Sequence, residues 1–432
     1  MRILIITQTF LPEMGAPSSR LYPIVRQLVA SGHEVFVATG MPNYPAGVVF
    51  PEYRGKRFVR EQVEGFDVLR TAYLTTPRNQ SKWLQLLSYL SFIPAVFYSG
   101  LRAGKVDMVF VTSPPLFVSI PGIWLAKIRR ARLILDLRDL WPDEIVACGG
   151  ARQGSLPIRV ISAIEGCAYR AAARVCCTTQ SFIETIVARG VPREKTALIP
   201  NGADLELFRP LPSSNSANDE YQLGDRFVVM YSGVLGIKHG LEVILETARL
   251  LRGNKNIVFF LLGSGARQHA LTEHAQKIGL NNVIFAGERQ VAEIPSLLAR
   301  ADVCLSALLP DPYLQKIITV KVFEYLACEK PVVAAVAGET ARVIQESGAG
   351  IVVPPNDATA MAEGVLSLYR DSERRAAMGK LGRRYVEENY SRANSATKLE
   401  RTLRELFESE TMEPASSSAQ HRSEGDEMIP AG

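Results

Sequence analysis

The segment Thr319–Ala335 reads TVKVFEYLACEKPVVAA and carries two charges, Lys321 and Glu324, inside a run that otherwise favours burial. A charge leaves water at low cost only when it is paired or faces a ligand. Three glycine-bearing turns offer related chemistry. YSGVLGIKHG sets Gly233, Lys238 and His239 between an apolar run and an amphipathic helix, and glycines beside a cation at a helix start suit a diphosphate. FFLLGSGARQHAL adds Gly263 and Gly265; a G-x-G alone also marks ordinary turns, and His239 fits equally as a plain polar residue at a helix start. TFLPEMGAPSSR provides Gly15 for close backbone approach, then Pro17, Ser18 and Ser19 for a helix first turn with free N–H groups. An ordinary Gly/Pro turn has the same composition, and Pro23 complicates the helix. Finally, DLRDLWPDE (Asp136–Glu144) gathers four carboxylates with Arg138 and Trp141. It is either a solvated acidic loop or a site. Asp136, Arg138 and Asp139 directly follow an apolar run, which favours the site.

Such residues need strand ends to hold them. Short β-branched apolar runs alternate with helical stretches along the chain, seven from Ile3 to Ile199 and six from Val228 to Val353. Continuous apolar runs of this kind predict parallel sheets covered on both faces, hence an α/β fold with two doubly wound, Rossmann-like domains. In such sheets ligands bind at the carboxyl ends of the strands, where all the turns above fall. The expected division is 1–203 for the first domain, 204–385 for the second, 386–408 for a helix returning to the first, and 409–432 for a disordered tail. The polar stretch Leu211–Asp225 is expected to be a loop.

The 432 residues suffice for two cores, and 47% apolar with 22% charged residues is ordinary globular composition. The net charge of +5 is unevenly spread: residues 1–200 hold 24 Lys+Arg against 14 Asp+Glu, so the first half faces something anionic. No nucleic-acid recognition module appears, which leaves a membrane surface or a phosphate-bearing lipid. The six cysteines have no metal-type spacing and fit reduced thiols in a cytoplasmic protein. MRILIITQTF has too short an apolar run for a secretory signal and fits a buried first strand. Trp83–Leu101 contains no charged residue, and Arg78, Lys82, Arg102 and Lys105 flank it. A core helix and a membrane-resting helix pair broken near Pro94 both fit; the flanking cations favour the second.

Taken in order, PEMGAPSSR, SGHEV, MPNYPAG, RDLWP, IPNGAD, YSGVLGIKHG, FLLGSG and VKVFEYLACEKPVV resemble the family 4 glycosyltransferases of the GT-B fold. The similarity is greatest to the bacterial O-antigen, colanic acid and capsule branch, including fucosyl- and N-acetylfucosaminyltransferase-like members. The resemblance implies that Glu324 bonds the ribose of a nucleotide and that Lys321 and Lys238 face the donor phosphates. Gly15, Gly233, Gly263, Gly265 and His239 would complete donor binding. It implies catalysis by Arg138, Asp139, Lys238 and Glu324, retention of configuration, and a UDP- or GDP-sugar donor. A lipid-linked saccharide acceptor at the inner face of the membrane and no metal or other cofactor are also implied. Several positions depart from the family: Lys316 stands where a sugar-contacting glutamate is usual, Arg138 where a catalytic histidine is usual, and Val234 and His239, with Lys238 adjacent, where an Arg and a Lys for the diphosphate are usual. The rivals are a sugar-nucleotide 2-epimerase of the same fold and a non-catalytic, membrane-recruited scaffold.

Overall fold

The computed structural model describes residues 1–13, 15–77, 82–212 and 220–411. The first domain runs β1 (Arg2–Ile6), α1 (Ala16–Ala30), β2 (Glu34–Gly40), β3 (Phe58–Val63), β4 (Phe66–Thr71), α2 (Lys82–Arg102) and β5 (Met108–Ser113). It continues with α3 (Ser119–Arg129), β6 (Arg132–Leu137), α4 (Trp141–Ala147), α5 (Leu156–Ala171), β7 (Arg174–Cys177), α6 (Gln180–Ala188) and β8 (Thr196–Leu198). Its sheet has the order β3-β4-β2-β1-β5-β6-β7-β8, parallel except for the edge strand β3.

The strand β1 shows why the apolar runs are continuous. Leu4 and Ile6 pack with Phe92 and Val96 of α2 and Leu125 of α3. Ile3 and Ile5 point the other way, to Leu21 and Leu28 of α1. With a period of two, a strand buried on both faces needs an apolar residue at every position.

The second domain begins with β9 (Phe227–Ser232), α7 (Glu242–Leu250), β10 (Ile257–Leu262), α8 (Gln268–Lys277) and β11 (Val283–Gly287). There follow α9 (Ile294–Ala299), β12 (Val303–Ala307), α10 (Val320–Ala327), β13 (Val332–Ala335), α11 (Glu339–Ser347), β14 (Gly350–Val353) and α12 (Ala358–Arg370). All its pairings are parallel, in the order β11-β10-β9-β12-β13-β14. Strand order reverses between β1 and β5 and again between β9 and β12. The second switch point opens on the interdomain cavity at Ser232 and Gly233, and the first on a neighbouring cavity lined by Thr7, Pro114 and Arg138.

Three sequence expectations need correction. The edge strand β3, FVREQV, has no apolar run; it is held by pairing with β4, as Arg60–Asp67 (2.9 Å) and Arg70–Glu61 (2.6 Å) also are across the two strands. The helix expected from about residue 386 is two helices, α13 (Ser372–Asn389) and α14 (Arg392–Thr411). Between them the chain crosses back at Tyr390–Ser391, where Ala203 donates to the Tyr390 carbonyl (2.9 Å) and Arg392 donates to that of Ala203 (3.0 Å). α13 packs on α10, and α14 packs on α1. The helix persists to Thr411; the rest of the expected tail, and Arg78, lie outside the described residues. Third, α2 is one helix that includes Pro94, not a pair.

α2 is also divided by face. Phe92 is 1% exposed and Val96 fully buried, whereas Leu87 is 49% exposed. Phe92 therefore belongs to the core and not to any surface contact. We expect Phe92→Ala to cost about 3–5 kcal/mol of stability and Leu87→Ala less than about 0.5 kcal/mol. Denaturant midpoints check this, and equal losses would overturn the assignment of faces.

Candidate functional site

A cavity of about 510 Å³ lies between the domains. From the first domain, Gly15, Arg20, Arg138 and Asp139 line it; from the second, Gly233, Lys238, His239, Gly263, Lys321 and Glu324; from α14, Arg392. The expected residues thus meet in one place, with one exception. Gly265 is absent from the lining because it packs on the neighbouring turn: a Cβ there would stand 2.5 Å from the Leu235 carbonyl oxygen. Gly233 and Gly263 adopt φ of +141° and +132°, and a Cβ on Gly233 would meet the Lys321 ammonium at 2.9 Å. Glycine is required here for both reasons. The close approach at Gly15 is made by the Tyr44 ring, 3.1 Å from where a Cβ would be.

Lys321 and Glu324 stand at the start of α10, whose apolar face (Val322, Phe323, Leu326) seats the helix in the core. The Lys321 ammonium donates to the Tyr231 hydroxyl and lies 3.8 Å from the centroid of that ring. Burial, aided by Lys238, pulls its pKa well below the usual lysine range against the opposing pull of Glu324. An anion beside it would restore the charged form. Burial pushes the Glu324 carboxyl up, while Arg392, 3.5 Å away, and Lys321 pull it down. Arg392 is brought there by the chain's return to the first domain.

Lys238 behaves differently. Burial works against its charge, but Asp139 and Glu144 outweigh burial and raise its pKa. Its ammonium lies 3.3 Å from Glu144 of α4, on the opposite domain. His239 is buried, touches the backbone of Ala307, and is held down to a pKa of about 2 by burial and the two lysines. It stays neutral and supplies no positive charge to a phosphate.

The acidic turn divides into separate roles. Asp136 is fully buried and belongs to the core: it accepts from Arg20 (2.7 Å) and from the Thr112 hydroxyl (2.9 Å), so it is not a cleft residue. Asp143 pairs with Arg189 at 2.6 Å. Asp139 faces the cleft, accepts from the Tyr313 hydroxyl of the second domain (3.2 Å), and is pushed up to about 6 by burial and by Glu144. Arg138 lines this cavity and a second one of about 300 Å³, together with Tyr89, Pro114 and Trp141. Its guanidinium donates to the Pro114 carbonyl at 2.7 Å. Lys316 turns away: its ammonium donates to Thr185 of α6 at 3.0 Å, linking the domains. Among the described residues no group of three or more His, Cys, Asp or Glu is placed to hold a metal ion.

Sequence reading missed Tyr231, Tyr313, Glu144 and Arg392 as site residues because each acts across the fold. It also missed Glu13. That buried carboxylate accepts from the backbone N–H of Phe10, Asn43 and Tyr44, and so fixes the MPNYPAG loop against the cleft.

The arrangement is that of two facing α/β domains with an anion-accepting turn on one and a charged corner on the other. Residues 15–202 match the family described as Glycosyl transferase 4-like domain, and residues 215–385 the one described as Glycosyl transferases group 1. The chain belongs to the family 4 glycosyltransferases of the GT-B fold. Over 310 residues, 70% of this chain and 75% of the other, it is 29% identical to a protein of Escherichia coli strain K12, WcaI. The name of that protein assigns it to colanic acid biosynthesis as a glycosyl transferase. Sucrose-phosphate synthase from Thermosynechococcus elongatus shares the fold with a TM-score of 0.74 at 20% identity, covering 94% of this chain and 99% of that one. So does Anabaena HepE in complex with UDP, at 0.68 and 19%, covering 94% and 100%.

The proton on Asp139 gives a test of the corner. The folded protein holds it more tightly than an unfolded chain titrating near 3.8, so ionising Asp139 costs stability as pH rises from about 4 to about 6. Asp139→Asn carries no charge at any pH. Its stability relative to wild type should therefore rise through that window and level off above it, as read from denaturant midpoints between pH 4 and 8. A difference independent of pH would overturn the assignment.

Proposed function

We propose that the chain transfers a sugar from a UDP- or GDP-sugar to a lipid-linked saccharide, with retention at the anomeric carbon, in building a cell-surface polysaccharide. The observation that carries this reading is the convergence of Lys238, Lys321 and Glu324 with the Gly233 and Gly263 turns on one wall of the cleft. In this reading Glu324 accepts from the ribose hydroxyls. Lys321, Lys238 and the free N–H groups at the start of α10 meet the diphosphate. The similarity to a protein named for colanic acid biosynthesis and to one that binds UDP supports the pathway and the donor class.

The reaction breaks the bond from the anomeric carbon to the diphosphate and forms one to an acceptor hydroxyl, whose proton leaves with the diphosphate side. The charge that develops on the departing diphosphate is the main burden, and fixed cations already in place lower the barrier most. Asp139, with its raised pKa, stands across the cleft beside Lys238. Arg138 holds a permanent positive charge between the two cavities, toward the acceptor side. No metal enters this scheme, and turnover should survive EDTA.

Three measurements test it. Saturating nucleoside diphosphate at a hundred times its dissociation constant should add about 2.7 kcal/mol of stability, and UDP and GDP should differ in a thermal-shift comparison. Lys238→Ala and Lys321→Ala should each weaken nucleoside diphosphate more than nucleoside; equal losses would make them structural. Glu324→Gln should lower donor-dependent turnover tenfold or more, about 1.4 kcal/mol, without a matching fall in melting temperature. Wild-type turnover in that variant would overturn the role of Glu324.

A further inference from the structure

The smaller cavity, about 300 Å³, lies at the first domain's switch point between β1 and β5. Thr7 and Thr9 reach it from the end of β1, Pro114 from the end of β5, Trp141 from the start of α4 and Tyr89 from α2. A parallel sheet places its ligand crevice at such a point. Ligand clefts span about 300–1,000 Å³, so this one suits a single small ring and not a chain. Among the described residues Arg138 alone lines both this cavity and the interdomain one.

Two features of the lining are selective. The first is an aromatic wall. Trp141 meets Tyr89 at 5.8 Å and Phe117 at 5.3 Å, both edge-on, so the three rings fix one another. The negative face of such a ring attracts the polarised C–H groups on one side of a pyranose. The second feature is an unpaired charge. The Arg138 Nη2 donates to the Pro114 carbonyl at 2.7 Å, whereas Nε is buried with no partner. Asp136 and Asp139 attract the guanidinium without pairing with it. The Asp136 oxygens are taken by Arg20 and Thr112, and Asp139 accepts from Tyr313. None of the described residues lining the smaller cavity is acidic. Enclosing an unpaired charge is costly, and an anion on the ligand offsets that cost.

We propose that the smaller cavity receives the terminal sugar of the acceptor and that this sugar is acidic. Its carboxylate or phosphate accepts from the Arg138 guanidinium while its ring lies against Tyr89 and Trp141. That the sugar belongs to the acceptor rests on the transfer reading above; the preference for an anion rests on the cavity itself. A neutral sugar leaves the Arg138 charge unanswered and binds more weakly. Arg138 thus selects which saccharide is extended.

The test is binding in the absence of donor. Methyl glucoside, methyl glucuronide and glucose 6-phosphate are titrated into the full chain and followed by tryptophan fluorescence and thermal shift. At least one acidic hexose should bind about tenfold or more tighter than methyl glucoside, the effect of a hydrogen bond to a charged group. The carboxylate and phosphate arms tell which anion fits. Arg138→Gln should erase the preference and Arg138→Lys keep part of it. Tyr89→Ala should weaken all three ligands several-fold without changing their ratio. Saturating UDP should leave the preference intact. The proposal is overturned if wild type binds the acidic hexoses no tighter than the neutral one, or if folded Arg138→Gln keeps the preference. It is overturned equally if Tyr89→Ala leaves binding unchanged, or if UDP displaces the acidic hexose, which would put that ligand beside Lys238 and Lys321. Should Arg138→Gln fail to fold, the wild-type ratio and the UDP competition decide. UDP binding in the same thermal-shift measurement keeps the transfer reading separate: UDP bound with no acidic preference sinks this proposal alone.

Discussion

The guanidinium of Arg20 holds the first half of the cleft together. All of its donors are used: two bonds to the fully buried Asp136 (3.2 and 2.7 Å), and three to the Ile199 carbonyl, the Pro200 carbonyl and the Asn201 side chain. One residue thereby ties α1, the end of β6 and the segment by which the chain leaves the first domain. Desolvating such a pair is costly, and it is repaid only when every donor and lone pair is matched, as here. Because Asp136 is fixed, Arg138 and Asp139, two and three residues on, are delivered to the cleft at a set height. Because Ile199–Asn201 is fixed, the crossing of Ala203 with Tyr390 has a rigid anchor on one side.

From that anchor the electrostatics of the cleft follow. Lys238 and Lys321 lie on the same wall, and Lys238 lowers the preference of Lys321 for charge, but the two differ in how they meet burial. Lys238 keeps its charge by reaching Glu144 and the neighbourhood of Asp139 on the facing domain. Lys321 has only Glu324 in opposition and loses to burial. A diphosphate would relieve both, since it brings more negative charge than the wall now holds. Binding of an anion there and charging of Lys321 would reinforce one another.

How much of this was legible in the sequence depended on the range of the interaction. Thirteen strands showed as apolar runs because both faces of each sheet are covered. β3 did not, since an edge strand with Arg60 and Glu61 is specified by its hairpin partner and not by its own composition. The glycine turns and the pair Lys321/Glu324 were legible because strand, turn and helix start are contiguous. Asp136 was misread as a site residue because the arginine that buries it is 116 positions away. The break at Tyr390–Ser391 has no proline or glycine to announce it; the bridge to Ala203 makes it. Glu144 and Arg392 reach the cleft only through the packing of one domain on another, which no local period encodes.

The position of Arg138 shows where the family pattern and this chain part. A histidine at that strand end can accept and return a proton; an arginine cannot, and its desolvated guanidinium remains a fixed positive charge. Of this pair only Asp139, one residue on, can titrate, and burial and Glu144 bring it to about 6. The Tyr313 hydroxyl donates to that carboxylate from the second domain, so its protonation is coupled to how closely the domains approach. The corner has exchanged a mobile proton beside a carboxylate for a fixed charge beside a titratable one. That exchange leaves the Arg138 guanidinium charged at the junction of the two cavities whether or not Asp139 is ionised.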